Sequence, residues 1–367
     1  MDLNYKINDE QYYIKIKDNI KNEISQNINK LVSDKKIIFL YDINIQKKII
    51  NKIIYDLKIS GFSLIVTPIE GEKINKIEIL LFKIIDNLIA NKFTKKSIIL
   101  SCGGGVVGDV SALAASLYLR GLIYIHIPST MTSIVDSCIG GKTAINYQSI
   151  TNSFGTYYHP KFIFIYHELI KLIPQREYIA GIPEMLKCGL INDKKILTDL
   201  HKNKLVIARD KKTLNNLIYR SLKTKIKLFV HDIFEEKTRL YLNFGHTFAH
   251  SIEMTFDSKL RDVFRHGEAV GIGIICELKY ASKNKRNKLI EISEEILDLY
   301  SLPKIITIKN KKLIQKIVTK IYNNIFLDKK RINNFPRYIN LTTFKKPSIK
   351  EIRDLDLMLQ VINKMII

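Results

Sequence analysis

The feature that most restricts this chain is a change of periodicity near Pro174. Upstream, short runs of β-branched and aromatic residues recur at Tyr12–Lys17, Ile37–Tyr41, Phe62–Thr67, Ser97–Cys102, Leu122–Ile127 and Phe162–Tyr166, and each reads as a strand. Helical spacing separates them at Asn44–Lys58, Asn75–Ala90 and Val110–Leu119. Such alternation implies a largely parallel sheet with helices on its faces. Downstream the pattern turns helical, at Arg176–Leu190, Lys211–Val230, Thr247–Thr255, Glu268–Ala281, Leu289–Tyr300 and Lys311–Tyr322, with one strand-like run at Tyr338–Thr342. The expectation is an α/β domain over residues 1–174 with a mostly parallel sheet, followed by an all-α C-terminal domain over 175–367.

Charge first suggests a polyanion partner, since 59 Lys+Arg against 36 Asp+Glu leaves +23. The residue types argue otherwise. Only 11 of the basic residues are Arg, while Ile is used 65 times and Trp never, a bias that follows A/T-rich codons. Phosphate-backbone grooves favour Arg for its bidentate fork. Between Ile98 and Leu190 the six bases Arg120, Lys142, Lys161, Lys171, Arg176 and Lys187 nearly balance five acids. The excess therefore lies elsewhere, as solvated surface, and no nucleic-acid partner is expected. No membrane span is expected either, because the apolar stretch Ile98–Leu119 is broken by glycines and Asp109. The start lacks a secretory pattern, and Cys102, Cys138, Cys188 and Cys276 are too scattered for a CxxC pair, so a cytoplasmic protein with free thiols is expected.

The sharpest local motif is Gly103-Gly104-Gly105-Val106-Val107-Gly108-Asp109, after a strand and opening a helix. Glycines there admit a ligand to the backbone, and a helix start offers free N–H groups to phosphate, although a plain tight turn uses the same residues. Asp42 ends an earlier strand, where a carboxylate either meets a ribose hydroxyl or caps a turn. Asp136–Thr143 finishes like a phosphate loop but begins with Asp136 where that loop needs Gly, which speaks against a nucleoside triphosphate. Lys142 is either a cation offered to an anion or a solvated turn residue. In the helical half, Glu184 and Lys187 are spaced i, i+3, His246 and His250 are spaced i, i+4, and His266 precedes Gly267-Glu268. His with a carboxylate suits Zn²⁺ with an open position. The shared helix face makes both His246 and His250 candidate ligands, against capping or core roles. Arg239 and Asn243 add polar groups nearby.

Together and in order, Gly103–Asp109, Pro128–Asn146, Ile173–Glu177, Ile182–Gly189, Leu242–His250 and His266–Val270 make the chain resemble the 3-dehydroquinate synthase family, a branch of the sugar phosphate cyclases. Gly71-Glu72 and Asp328-Lys329-Lys330 agree more loosely. The resemblance implies a Rossmann-like NAD domain, a helical domain, a homodimer, and the shikimate-pathway substrate 3-deoxy-D-arabino-heptulosonate 7-phosphate. It implies a divalent metal, Zn or Co, on Glu184, His246 and His266, and moves His250 to the substrate's phosphate and ring opening. Arg120, Lys142, Asn152, Asn243 and Lys329 or Lys330 (Lys330 preferred) would surround that phosphate. Lys187, Lys225 and Arg239 would hold the carboxylate and ring hydroxyls, with Asp136 beside the metal-bound hydroxyl. NAD would be met by Asp42, Glu72, Lys73, Gly104, Gly105, Val106, Val107, Gly108, Asp109, Ser129, Thr130, Lys142, Thr151, Leu169, Ile170, Lys171 and Leu172.

The implied reaction oxidises C5, eliminates phosphate, returns the hydride, opens the ring and closes a carbocycle by an intramolecular aldol step. Four positions depart from the family pattern: Ile150-Thr151-Asn152, Lys76 arriving one place late after Gly71-Glu72, Tyr166 and Leu172. All lie on the cofactor side, so the expectation is retained chemistry with weakened or redistributed NAD affinity. Competing readings are another sugar phosphate cyclase, a metal-dependent NAD alcohol dehydrogenase that accumulates NADH, and a basic binding protein with salt-dependent nucleic-acid affinity and no metal.

Overall fold

A computed structural model describes residues 1–20, 23–31, 34–72, 76–148, 150–256, 263–327 and 335–367. They fall into two compact units, Met1–Pro174 and Gln175–Ile367. Among the described residues the first unit holds nine strands: β1 (Asp2–Ile7), β2 (Glu10–Lys17), β3 (Lys36–Asp42), β4 (Ser63–Ile69), β5 (Ile98–Gly103), β6 (Ile123–Pro128), β7 (Lys142–Tyr147), β8 (Ile150–Tyr157) and β9 (Phe162–Tyr166). Seven make one sheet in the order β1-β2-β9-β6-β5-β3-β4. Only β1 runs antiparallel, through a hairpin turned at Asn8 and Asp9, whose φ angles of 45° and 68° suit these two residue types.

Strands covered on both faces read as continuous apolar runs. In β3, Ile37 and Phe39 join one hydrophobic layer with Ile53 and Leu57 of the helix Lys47–Ile59. Ile38 and Leu40 join the opposite layer with Leu81, Ile84 and Val110 of the helices Glu78–Ala90 and Gly105–Leu117. The chain order reverses at β3, with β4 on one side and β5 on the other, so the carboxyl ends of β3 and β5 form the switch point where such sheets bind ligands. The hairpin of β7 and β8 was not legible as strand: β8 is exposed nearly throughout and lacks an apolar face.

In the second unit, helices Lys211–Phe229, His246–Phe256, His266–Ala281, Lys288–Leu299 and Ile314–Ile325 fall close to their expected places. The expected single helix Arg176–Leu190 is two, Gln175–Ile179 and Ile182–Ile191. Pro183 explains the break, since its ring and missing N–H suit a first turn but not a helix interior. An antiparallel pair, β10 (Arg337–Asn340) and β11 (Ser348–Glu351), accompanies the helices, followed by Leu355–Met365, capped by Asp354 accepting from the Leu357 N–H. No helix among the described residues is long and apolar enough to cross a membrane. All four cysteines are buried free thiols.

Phe39 is fully buried at the middle of β3. Phe39→Ala is expected to lower the stability of the first unit by about 3–5 kcal/mol, read from urea unfolding. A loss under about 1 kcal/mol would contradict this packing.

Candidate active site and metal centre

In the first unit, register brings the cofactor candidates to one edge. Tyr41 of β3 pairs with Cys102 of β5, Asp42 with Ile69 of β4, and Gly103 with Pro128 of β6. Asp42, Gly71-Glu72, Gly104–Asp109 and Ser129-Thr130 therefore all lie at or just beyond the carboxyl ends of adjacent strands. Space excludes a side chain at Gly103 and crowds one at Gly104. A Cβ on Gly103 would stand 2.5 Å from Val107 Cβ, and one on Gly104 3.0 Å from Thr130 Cγ2. Gly104 caps the helix Gly105–Leu117 with no side-chain hydrogen bond, so the first-turn N–H groups receive no side-chain cap. This is a cradle suited to a pyrophosphate.

Asp42 makes a turn, Oδ1 accepting from the Asn44 N–H and Nδ2 at 2.9 and 3.0 Å, and a Cβ on Gly71 would collide with Oδ2. Leu169 and Ile170 are buried within the helix His167–Ile170, Leu169 in the sheet's hydrophobic layer, whereas Leu172 is 41% exposed. Thr151 and Lys142 are exposed on the hairpin. Arg120 follows Leu119, and both have positive φ, 64° and 50°, an unfavourable conformation for these side chains. Asp136 sits in the π-helical turn Ser133–Ser137. Lys73, and in the second unit Lys330, lie outside the described residues.

Lys76 is a residue the sequence reading noticed but did not place in the site. Its Nζ donates to Asp109 Oδ2 and to Asn152 Oδ1, both at 2.5 Å, and it is 9% exposed. The one-place shift after Gly71-Glu72 was the signal. Burial pushes the Asp109 carboxyl above its ordinary value against the pull of Lys76. Beneath the glycine loop, His126 Nδ1 lies 2.7 Å from Ser101 Oγ, and Tyr124 OH donates to Gly108 O at 3.0 Å.

In the second unit, Glu184 lies on Ile182–Ile191 and is 1% exposed. Oε1 stands 3.6 Å from His246 Nε2 and 3.5 Å from His266 Nε2, while Lys187 pairs with Oε2. One donor atom from each of Glu184, His246 and His266 falls within 4.8 Å of the others, as the ligands of a single ion do. His250 is outside this group, its ring 5.4 Å from that of His246 and 6.4 Å from that of His266. Burial lowers the His266 imidazole, but Glu253 and Glu184 outweigh it and hold it up at about 10. The donor set, one carboxylate and two imidazoles, fits a divalent metal with open positions.

Three cations are more than nine-tenths buried close by in the fold: Lys187, Lys225 and Arg239. Their elements, Ile182–Ile191, Lys211–Phe229 and Thr238–Asn243, pack on one another. Arg239 donates to Ile233 O at 2.6 Å and lies over the Phe229 ring. Asn243 donates to Glu235 Oε1 at 2.5 Å. A small cavity is lined by Asn243, His246, Thr247, His250 and Arg337, the last a residue missed in sequence because it follows the helical motifs by ninety positions.

His246→Ala and His266→Ala are expected to abolish stoichiometric Co²⁺ binding, whereas His250→Ala retains it; visible absorption titration checks this, and the reverse pattern would restore an HxxxH site. Burial puts His126 at about 3 against its ordinary 6.5. The unfolded chain thus gains that proton first as pH falls, so first-unit stability drops between these values and is untouched by His126 above them. His126→Gln should flatten the difference between urea midpoints at about pH 4.5 and about pH 7.5.

The chain matches the sequence profile of 3-dehydroquinate synthase N-terminal over residues 65–180 and that of 3-dehydroquinate synthase C-terminal over 181–331. It is 41% identical over 229 residues to a 3-dehydroquinate synthase of Streptococcus pyogenes serotype M49, covering 60% of this chain and 61% of the relative. The chain thus spans about three-fifths of the length of such streptococcal relatives. It is 37% identical over 273 residues to a 3-dehydroquinate synthase of Alkaliphilus oremlandii, covering 73% and 72%. Among solved structures, 2-deoxy-scyllo-inosose synthase complexed with carbaglucose-6-phosphate, NAD⁺ and Co²⁺ superposes with a TM-score of 0.87 at 23% identity over 100% of both chains. The 2-epi-5-epi-valiolone synthase of Streptomyces hygroscopicus, with NAD⁺ and Zn²⁺ bound, gives 0.82 at 19% over 98% of both. These structures share the fold. With contiguous profiles covering the carboxyl-edge motifs and the buried Glu184 group alike, the chain belongs to the 3-dehydroquinate synthase family.

Proposed function

We propose that the chain converts 3-deoxy-D-arabino-heptulosonate 7-phosphate into 3-dehydroquinate and inorganic phosphate, with NAD and one divalent metal, Zn or Co. The observation that carries this reading is the convergence of His246 and His266 on buried Glu184, next in the fold to three buried cations. A phosphorylated keto acid is the doubly anionic ligand such cations suit.

Glu184, His246 and His266 would hold the metal, which when bound supplies Lewis acidity to a coordinated hydroxyl. The glycine cradle, Asp42 and Thr130 would hold NAD, which supplies a reversible hydride acceptor. Lys187, Lys225 and Arg239 orient the carboxylate and hydroxyls from a water-poor setting, where each charge counts for more than in solvent. Lys187 also pairs with Glu184, coupling substrate position to the ligand set. Asn243 and His250 line the cavity and would meet the phosphate, with His250 exchanging a proton on ring opening. Arg120, Lys142, Asn152 and Lys330 are assigned to the same phosphate, and Asp136 to the reacting hydroxyl. Lys76 would fix Asp109 at the start of the cofactor helix, in part replacing the family's earlier lysine. Homodimer assembly and a cytoplasmic setting belong to this proposal.

Purified protein with NAD⁺, Zn²⁺ and the heptulosonate phosphate is expected to release phosphate and form 3-dehydroquinate without net NADH. Metal removal should abolish release and Zn²⁺ restore it. Phosphate release unchanged after complete metal removal would sink the mechanism. A carbocycle other than 3-dehydroquinate would point to another cyclase, and accumulating NADH to an alcohol dehydrogenase.

A further inference from the structure

The two imidazoles that face Glu184 are arranged alike. His246 turns Nε2 toward Glu184 Oε1 at 3.6 Å and Nδ1 toward Phe244 O at 3.2 Å. His266 turns Nε2 toward the same oxygen at 3.5 Å and Nδ1 toward Glu253 Oε1 at 3.2 Å. In each ring the nitrogen away from Glu184 faces an acceptor.

We propose that Glu253 is the positioning residue of the metal centre, holding the His266 Nδ1–H so that the Nε2 lone pair faces the ion. The proposal rests on the metal-site reading above. A neutral imidazole carries one N–H, and the partner of one nitrogen decides which atom is left to ligate. An ionised carboxylate accepts and cannot donate, so Glu253 requires the proton on Nδ1. Glu253 is itself outside the group of donor atoms lying within 4.8 Å of one another, so it acts through the ring and not as a fourth ligand. Its side chain is 14% exposed, which limits competition from water.

The placement also has a structural logic. His246, His250 and Glu253 are spaced i, i+4, i+7 on the helix His246–Phe256, so one face carries them all. The next helix, His266–Ala281, packs against it and supplies His266 at its first position. A helix end is the least constrained place for a ligand, because the first turn lacks part of its backbone hydrogen bonding. Phe244 O serves His246 from its own chain neighbourhood, while His266 receives the equivalent service across helices from Glu253. Partners of this kind set ligand orientation and basicity.

The test uses the full chain stripped of metal, with Co²⁺ as probe, followed by visible absorption and chelator competition. Wild type should bind one Co²⁺ per chain, and His246→Ala should remove it. Glu253→Gln should weaken Co²⁺ by about 10- to 100-fold and Glu253→Leu by at least as much. In the Zn²⁺-loaded protein, imidazole ¹⁵N spectra should show His266 protonated on Nδ1 in wild type. That signal should shift in Glu253→Leu while His246 is unmoved, which a general loss of packing would not produce. The near-isosteric Glu253→Gln keeps the test usable should the leucine variant fold poorly. Co²⁺ affinity within about twofold of wild type in the folded variants, with an unchanged His266 tautomer, overturns the proposal. Absence of Co²⁺ binding in wild type would instead refute the metal-site reading, and the proposal with it.

Discussion

The second unit is organised around a carboxylate that water cannot reach. An ion of that size is costly to bury unless charge and geometry compensate it. Glu184 is 1% exposed, and around it stand Lys187 and the Nε2 atoms of His246 and His266. Those groups come from three different helices. Much of the unit's packing serves to hold these helix ends in register. Arg176 grips Glu268 with two bonds of 2.7 Å and also reaches Val263 O, pinning the turn that begins with His266. Glu268 in turn accepts the Arg265 N–H, closing the helix start from the other side. Fully buried Glu277, raised by burial to about 8, accepts from the Thr247 and Ile339 N–H groups and ties the helix of His246 to β10.

The first unit solves a different problem with the backbone. Its glycine loop offers N–H donors at a helix start, and a side chain in the wrong place would block them. Gly103 and Gly104 supply the space, while Tyr124, Ser101 and His126 support the loop from the sheet. Lys76, Asp109 and Asn152 then join the helix Gly105–Leu117 to the β7–β8 hairpin by two short bonds. Lys76 can span that distance because its side chain is long and flexible.

The sheet strands and most helices were legible because their periodicities were strong: β3, β5 and β9 are apolar on both faces, and Lys211–Phe229 is amphipathic. The β7–β8 hairpin was not, since solvent covers β8 and no alternation survives. The split before Ile182 was written in Pro183 but masked by continuous apolar spacing on either side. Within the site, Glu184, His246 and His266 were named through the family pattern and their donor atoms converge, whereas the His246 and His250 spacing alone offered His250, which lies outside that group. Glu253 was within reach of the same helical-face argument and passed over because a lone Glu at i+7 resembles any exposed acid. Arg337 had no local signal, as its position depends on a strand pairing far downstream.

The excess of Lys, Ile and Asn said little about function, and the near-neutral stretch from Ile98 to Leu190 said much. By itself the sequence determined the two classes of architecture, the glycine cradle and the residue types able to hold metal and anion, because these follow from periodicity and local sterics. The tertiary structure decided which nitrogen of each imidazole faces Glu184, which histidine stands apart, and which acid holds His266. Those choices are set by distances of a few ångströms between helices remote in the chain, and no spacing along one helix encodes them.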